Sequence, residues 1–184
     1  MAISLQKGQR VQLGLKMAGV GLGWDPNEST GHDYDLDASI FMLGANGKIP
    51  QDEFFVFYNN QTSPDGAVTS SGDDRSGGNS DGDDETLMID FSRIDSRINE
   101  MIVVVTIHEA TARKQNFGQV RNSFIRIYNS ETNEEICKYE LGEDFSIETA
   151  VEFGRFYKKD AAWRFEAVGK GYNGGMEYFV QKFS

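Results

Sequence analysis

The 184-residue chain has one cysteine, Cys137, so neither an internal disulfide nor a cysteine zinc cluster can be built from it. Histidine is almost as scarce, with only His32 and His108, which leaves zinc short of its usual nitrogen ligands. Long apolar runs are missing too. The longest aliphatic stretch, 101–105, is far too short to cross a bilayer, and the opening MAISLQKGQR lacks the apolar segment of a secretion signal. A soluble, cytoplasmic protein with no direct membrane insertion is the expectation. Positive charge is also in short supply: 18 Lys and Arg stand against 29 Asp and Glu, a formal net charge of -11. Binding nucleic-acid phosphates needs clustered bases, so no nucleic-acid partner is expected.

What is present can fill a core. The hydrophobic fraction is 39%, with 13 Phe and 7 Tyr, enough for one domain spanning 1–184. The apolar segments are short and rich in β-branched and aromatic residues. In 36–43, Leu36, Ala38, Ile40 and Met42 alternate with a second face that begins Asp35, Asp37, Ser39. Segments 54–58, 87–91, 102–107, 124–128, 136–139, 163–168 and 176–183 also read as strands. Turn signals at 45–48, 63–66 and 129–133 punctuate them. One helix is expected from Ser146 or Glu148 to about Tyr157, with Ser146 as its cap, acids at its start and Lys158 and Lys159 at its end. The expected fold class is all-β, an antiparallel sandwich with one or two short helices near the C-terminus.

The negative charge is segregated. Between Asp25 and Glu85 there are 14 acids and two bases, a net of -12, while the remainder of the chain is nearly neutral. Asp33, Asp35 and Asp37 recur at every second position, so on extended backbone they project to one side roughly 6.5–7 Å apart. A second acidic run, Asp73-Asp74 and then Asp81, Asp83, Asp84 and Glu85, sits in a long Gly- and Ser-rich loop. Asn59 and Asn60, which follow the strand at 54–58, offer neutral oxygens. Gathering these carboxylates without a cation is unfavourable, and an all-oxygen donor set of this size suits calcium better than magnesium. No EF-hand explains the pattern. A loop begun at Asp74 puts Glu85 at its end but Ser76 and Asn79 where the acid and the glycine belong. A single Gly-rich run at 77–83 is no calcium β-roll array. Residue chemistry alone leaves two readings open, metal binding and a merely solvated acidic loop.

Longer motifs carry a resemblance. VGLGWD (20–25), DYDLDASIFML (33–43), FFVFYNNQTSPDGAV (54–68), SGDDRSGGNSDGDDE (71–85), VVVTIHEATARKQNFGQVRNSFIRI (103–127) and ETAVEFGRFYKKDAAWRFEAVGKGY (148–172) occur in order. Together they make the chain resemble the TerD family of tellurium-resistance and stress-response proteins almost from end to end. The resemblance implies a calcium-binding β-sandwich holding two or more ions. It also implies metal ligation by Asp25, Asp35, Leu36, Asp37, Asn59, Asn60, Asp73, Asp74, Gly82, Asp83, Asp84 and Glu85. Asp74 stands where the family's Gly-Asp-Asn-Arg has Asn, and the 76–81 spacer is less regular than the usual Gly-rich run.

The resulting expectation is a calcium-binding stress-response module associated with tellurite resistance, with protein partners in a stress-response or membrane-associated assembly and no catalysis. The alternative is a metal-dependent hydrolase of phosphate esters using the same carboxylates around two metals. The shortage of histidine and of an evident general base counts against it. One Cys and six Met supply no redox pair for an oxyanion, so any tellurite resistance is expected to be indirect. His108 reads as a strand-end rim residue. Arg113, Lys114, Arg121 and Arg126 form a basic counterweight, ordinarily solvated but able to take an anion or an acidic partner. Gly19, Gly21 and Gly23 do not keep the register of a dinucleotide fingerprint.

Overall fold

The computed structural model describes residues 5–78 and 82–184; Asp81 of the acidic run lies outside them. Eleven strands occur among these residues: β1 (Arg10–Gln12), β2 (Met17–Gly23), β3 (Leu36–Leu43), β4 (Phe55–Val56), β5 (Val68–Ser70), β6 (Glu85–Asp90), β7 (Glu100–Ile107), β8 (Phe124–Asn129), β9 (Glu135–Glu140), β10 (Ala150–Lys159) and β11 (Ala162–Tyr172). They form two antiparallel sheets, ordered β1-β11-β10-β7-β3-β4 and β5-β6-β2-β8-β9. Three helices, α1 (Ala110–Arg113), α2 (Leu141–Asp144) and α3 (Met176–Phe183), complete the structure.

The sandwich follows from alternation. Leu36, Ala38, Ile40 and Met42 of β3 join Val20 and Leu22 of β2, Val103 and Val105 of β7 and Ile125 and Ile127 of β8 in the core between the sheets. The six-stranded sheet is buried on its outer face as well. There Phe41, Leu43, Phe55, Ile102 and Val104 pack beneath Phe179 and Phe183 of α3. Every residue of β3 is therefore buried.

Two expected elements are exchanged for the opposite type. Residues 146–157 do not form a helix. From Ala150 onward they are β10, a central strand paired with both β7 and β11, with Val151, Phe153 and Phe156 in the core. The acid-to-base gradient that suggested a helix dipole is local, and pairing with two neighbouring strands overrides it. Residues 176–183 are a helix, not a strand. Phe179 and Phe183, four apart, share its buried face, and the carbonyl of Phe183 accepts from Ile49 N at 2.8 Å. Residues 54–58 contribute only the two-residue β4, preceded by a single 3-10 turn at Asp52–Phe54. β1, β2 and β5 are strands that periodicity did not single out.

β2 explains its glycines. Val20 and Leu22 point into the core, while Gly19, Gly21 and Gly23 lie beneath the side chains of Tyr128, Asp83 and Phe124, where a Cβ would collide. Gly154 plays a similar part at the irregularity in β10. A Cβ there would strike the Phe165 ring and come within 2.8 Å of the Glu166 carbonyl oxygen. Gly154→Ala is expected to destabilise the fold by about 2–3 kcal/mol, read as a lower thermal midpoint, whereas Gly14→Ala, which meets open space, leaves it unchanged.

Candidate metal centre

The site grows out of an unpaired strand edge. Among the described residues β4 pairs only with Ile40 and Phe41, and no strand lies beside the first half of that edge of β3. Asp35 and Asp37 fall at the outward parity, in line with Phe41 and Leu43. On the other edge β7 sets the register, with Asp37 opposite Thr106 and His108 N donating to the Asp35 carbonyl at 2.8 Å. Asp35 and Asp37 are only 8% and 3% exposed. A third carboxylate arrives from the 71–85 loop. One oxygen each from Asp35, Asp37 and Asp73 lie within 4.8 Å of one another. The Asp73 side chain, 21% exposed, also accepts from Arg75 Nε at 2.9 Å.

Glu85 ties this group to the loop. Its two carboxylate oxygens accept from Ala38 N at 3.1 Å, on the free edge of β3, and from Asp74 N at 3.2 Å. Burial pushes its carboxyl up to about 9, with Asp37 and Asp73 adding to the rise against the two backbone hydrogen bonds. Burial, then the charges of Asp35 and Asp73, push Asp37 up to about 8. Asp35 is raised by burial and by Asp73, with His108, Arg113 and Arg75 opposing. Tyr58, beside the triad, is raised as well, first by burial and then by the same three carboxylates.

The donor set fits a hard cation. It consists of oxygens alone, and Asp35 Oδ1 is buried with no hydrogen-bond partner among the described residues. A buried carboxylate oxygen with nothing to accept from is costly unless a cation faces it. A cavity of about 340 Å³ lies over the three aspartates, with Asp33, Tyr58, His32 and His108 in its walls. The group Asp35, Asp37 and Asp73 can thus hold a metal ion.

The other residues that the resemblance implies as ligands lie outside this group of three. Leu36 opens β3 and is fully buried. Asp25 accepts from Asn122 Nδ2 at 2.8 Å. Asn59 is exposed, and Asn60 donates its amide to the carbonyls of Glu53 and Phe55, closing the turn after β4. Asp74 caps its own turn, accepting from Ser76 N and Gly77 N. Gly82 is exposed, and Asp84 accepts from Trp24 N at 2.9 Å. Asp83 lies against the outer face of the five-stranded sheet, paired with Arg126 at 2.8 Å.

Three positioning residues were not legible beforehand. Trp24, 3% exposed, joins the two acidic loops: its indole donates to the Tyr34 carbonyl, its backbone N–H donates to Asp84, and Gly77 packs on its ring. Arg126 holds Asp83 through two hydrogen bonds while its guanidinium lies over the Tyr128 ring at 4.4 Å. Gln115 donates to the carbonyls of His32 and Asp33, fixing the approach to β3. His108 and Arg113, read from sequence as rim and solvated residues, both line the cavity.

The chain is similar to known proteins over nearly its whole length. It is 49% identical to general stress protein 16U of Bacillus subtilis (strain 168), covering 96% of this chain and 94% of that protein. It is likewise 49% identical to tellurium resistance protein TerD of Serratia marcescens, with the same coverage of each chain. The crystal structure of a homologue of telluride resistance protein (TerD) from Streptomyces coelicolor A3(2) superposes with a TM-score of 0.79 at 23% identity. That match covers 91% of this chain and 96% of that one, and so supports the fold alone. The TerD domain model matches residues 1–183. The chain belongs to the TerD family.

Proposed function

We propose that this chain is a calcium-binding stress-response module that works through protein partners, and that any part in tellurite resistance is indirect. The observation that carries the calcium reading is the convergence of Asp35, Asp37 and Asp73 around a buried, unpartnered Asp35 Oδ1. Asp35, Asp37 and Asp73 would hold the ion, with Glu85 beside them. Bound calcium would neutralise these carboxylates and join β3 to the 71–85 loop. Calcium is favoured over magnesium because the donors are many, oxygen-only and partly borne on a loop. More than one ion is favoured because a fourth carboxylate, Asp33, lines the same cavity as the triad. The stress-response and tellurium roles are those carried in the names of its relatives.

Hydrolysis of phosphate esters has one feature in its favour, since His108 and Tyr58 share the cavity with the carboxylates. Against it, His108 Nε2 stands 3.9 Å from Glu109 Oε2, too far for the hydrogen bond that would orient a general base. Binding without turnover is the better reading.

Calcium at a hundredfold excess over its Kd is expected to stabilise the protein by about 2.7 kcal/mol, or roughly 5–10 °C in thermal midpoint for a chain of this size. Asp37→Asn should lose most of that gain. An unchanged midpoint and no titration heat for the native chain would sink the proposal.

The pH dependence has a defined sign. Asp37 and Glu85 titrate near 8 and 9 in the fold, above their ordinary values of 3.8 and 4.5. The folded chain therefore holds protons that the unfolded chain has released. In chelator, stability from these groups is fully present below about pH 4 and is lost as pH rises through their folded values. Denaturant titrations across this range would show the decline. Calcium binding near neutral pH should release protons, detected as a calorimetric heat that varies with buffer ionisation enthalpy.

A further inference from the structure

A second cavity of about 480 Å³ adjoins the one over the triad, and the two share Asp37, Tyr58 and His108 in their walls. That volume lies within the usual range for small-molecule sites. The second cavity runs along the outer face of the six-stranded sheet between α1 and the start of α3. Met176 and Ala112 give it apolar surface, and Thr106 and Thr149 line it as well.

The first cavity also carries cations. Arg75 and Arg113 stand in its wall with His32 and His108. Arg113 is fixed there rather than trailing in solvent: its side chain is 20% exposed and pairs with Glu109 at 3.2 Å. α1, which bears it, is one turn bracketed by left-handed residues, Glu109 and Lys114. Arginines repel a metal ion, so a site built only for a cation gains nothing from them. Arg75 is already paired with Asp73 and Arg113 with Glu109, yet hydrogen-bonding capacity is left over. Arg113 Nε and Asp35 Oδ1 are both buried in this region, and neither has a hydrogen-bond partner among the described residues. Each is left short of a group of opposite character.

We propose that the two adjoining cavities form a cation-dependent receptor for a small organic oxyanion. Its phosphate or carboxylate head would lie between the bound divalent ion and the guanidiniums of Arg75 and Arg113. Its uncharged body would lie in the cavity lined by Thr106, Ala112 and Met176. The inference rests on the calcium reading of the triad. Dependence on the cation follows from charge: four aspartates and two arginines line the first cavity, a net negative wall until a divalent ion neutralises it. Glu177, on the rim of the second cavity, disfavours a second negative charge on the ligand.

Calorimetric titration tests this, first with calcium alone, then with phenyl phosphate, benzoate or inorganic phosphate added to the calcium-saturated protein. Saturable binding of phenyl phosphate or benzoate that disappears in chelator is expected, and whichever probe binds tighter identifies the head group. Arg75→Gln, at an exposed side chain, and Arg113→Gln should each weaken the anion by about tenfold while calcium affinity holds or rises. Ala112→Trp, at an exposed position on the second cavity's wall, should weaken phenyl phosphate but not inorganic phosphate. Absence of calcium binding would defeat the underlying reading and this one with it. Calcium binding with no saturable anion binding, anion binding that persists in chelator, or affinity untouched by both arginine substitutions would overturn this inference alone.

Discussion

Carboxylates brought close together in a poorly hydrated pocket must lose charge or gain a counter-charge, and much of this structure is arranged around that demand. Two ionised groups within 4.8 Å of each other repel by roughly 3.5 kcal/mol or more at an effective dielectric of about 20. Asp35, Asp37 and Glu85 are also buried, which adds desolvation to repulsion. Something must therefore hold the 71–85 loop against β3 while its charge pushes it away. The anchors are neutral or oppositely charged contacts set apart from the triad. Asp83 is clamped by Arg126 on the outer face of the other sheet, Asp84 is held by the Trp24 backbone, and Gly77 packs on the Trp24 ring. Glu85 reaches the opposite sheet through the backbone of Ala38. The loop is thus fastened at several points before any cation is considered.

This division of labour explains which parts of the protein could be read in advance. β3 was legible because its alternation and its acids coincide: one parity is apolar, the other begins with Asp35 and Asp37. The convergence of Asp37 with Asp73 was foreshadowed by charge segregation, since acids so concentrated call for a shared partner. Trp24, Arg126 and the glycines of β2 carried no such signal. Their roles depend on which strand lies beside which, and β2 lies between β6 and β8 through contacts distant in sequence. Gly21 has a purpose only once Asp83 is known to lie over it.

The exchanged elements fail for the same reason in opposite directions. In 146–159 the charges at the ends mimic a helix, while Val151, Phe153 and Phe156 serve a strand buried between two others. In 176–183 the aromatic content mimics a strand, yet the spacing of Phe179 and Phe183 matches one helical face. What decides the second case is the outer face of the six-stranded sheet. It presents Phe41 and Phe55, stacked at 4.1 Å, and needs an apolar cover. A helix can supply two rings to that surface without joining the sheet edge. Its first residues then come to lie beside Asp37 and Thr106, so the cover of the outer core also closes one side of the second cavity.

Asp74, which stands where the motif of the resembled family has asparagine, can be understood in the same terms. Its Oδ1 accepts from Ser76 N at 2.9 Å and from Gly77 N at 3.0 Å, an Asx-type turn that an asparagine oxygen would make equally well. The turn sets Gly77 in the left-handed region, φ 69°, against Trp24. The acceptor oxygen is therefore what the fold requires, and the extra charge is incidental to it. To ligate a cation through Oδ1, Asp74 would have to release the turn that positions Gly77 on Trp24. Asp73 faces no such conflict: among the described residues its carboxylate is shared between the triad and the exposed Arg75, a weak partner that it can give up at little cost.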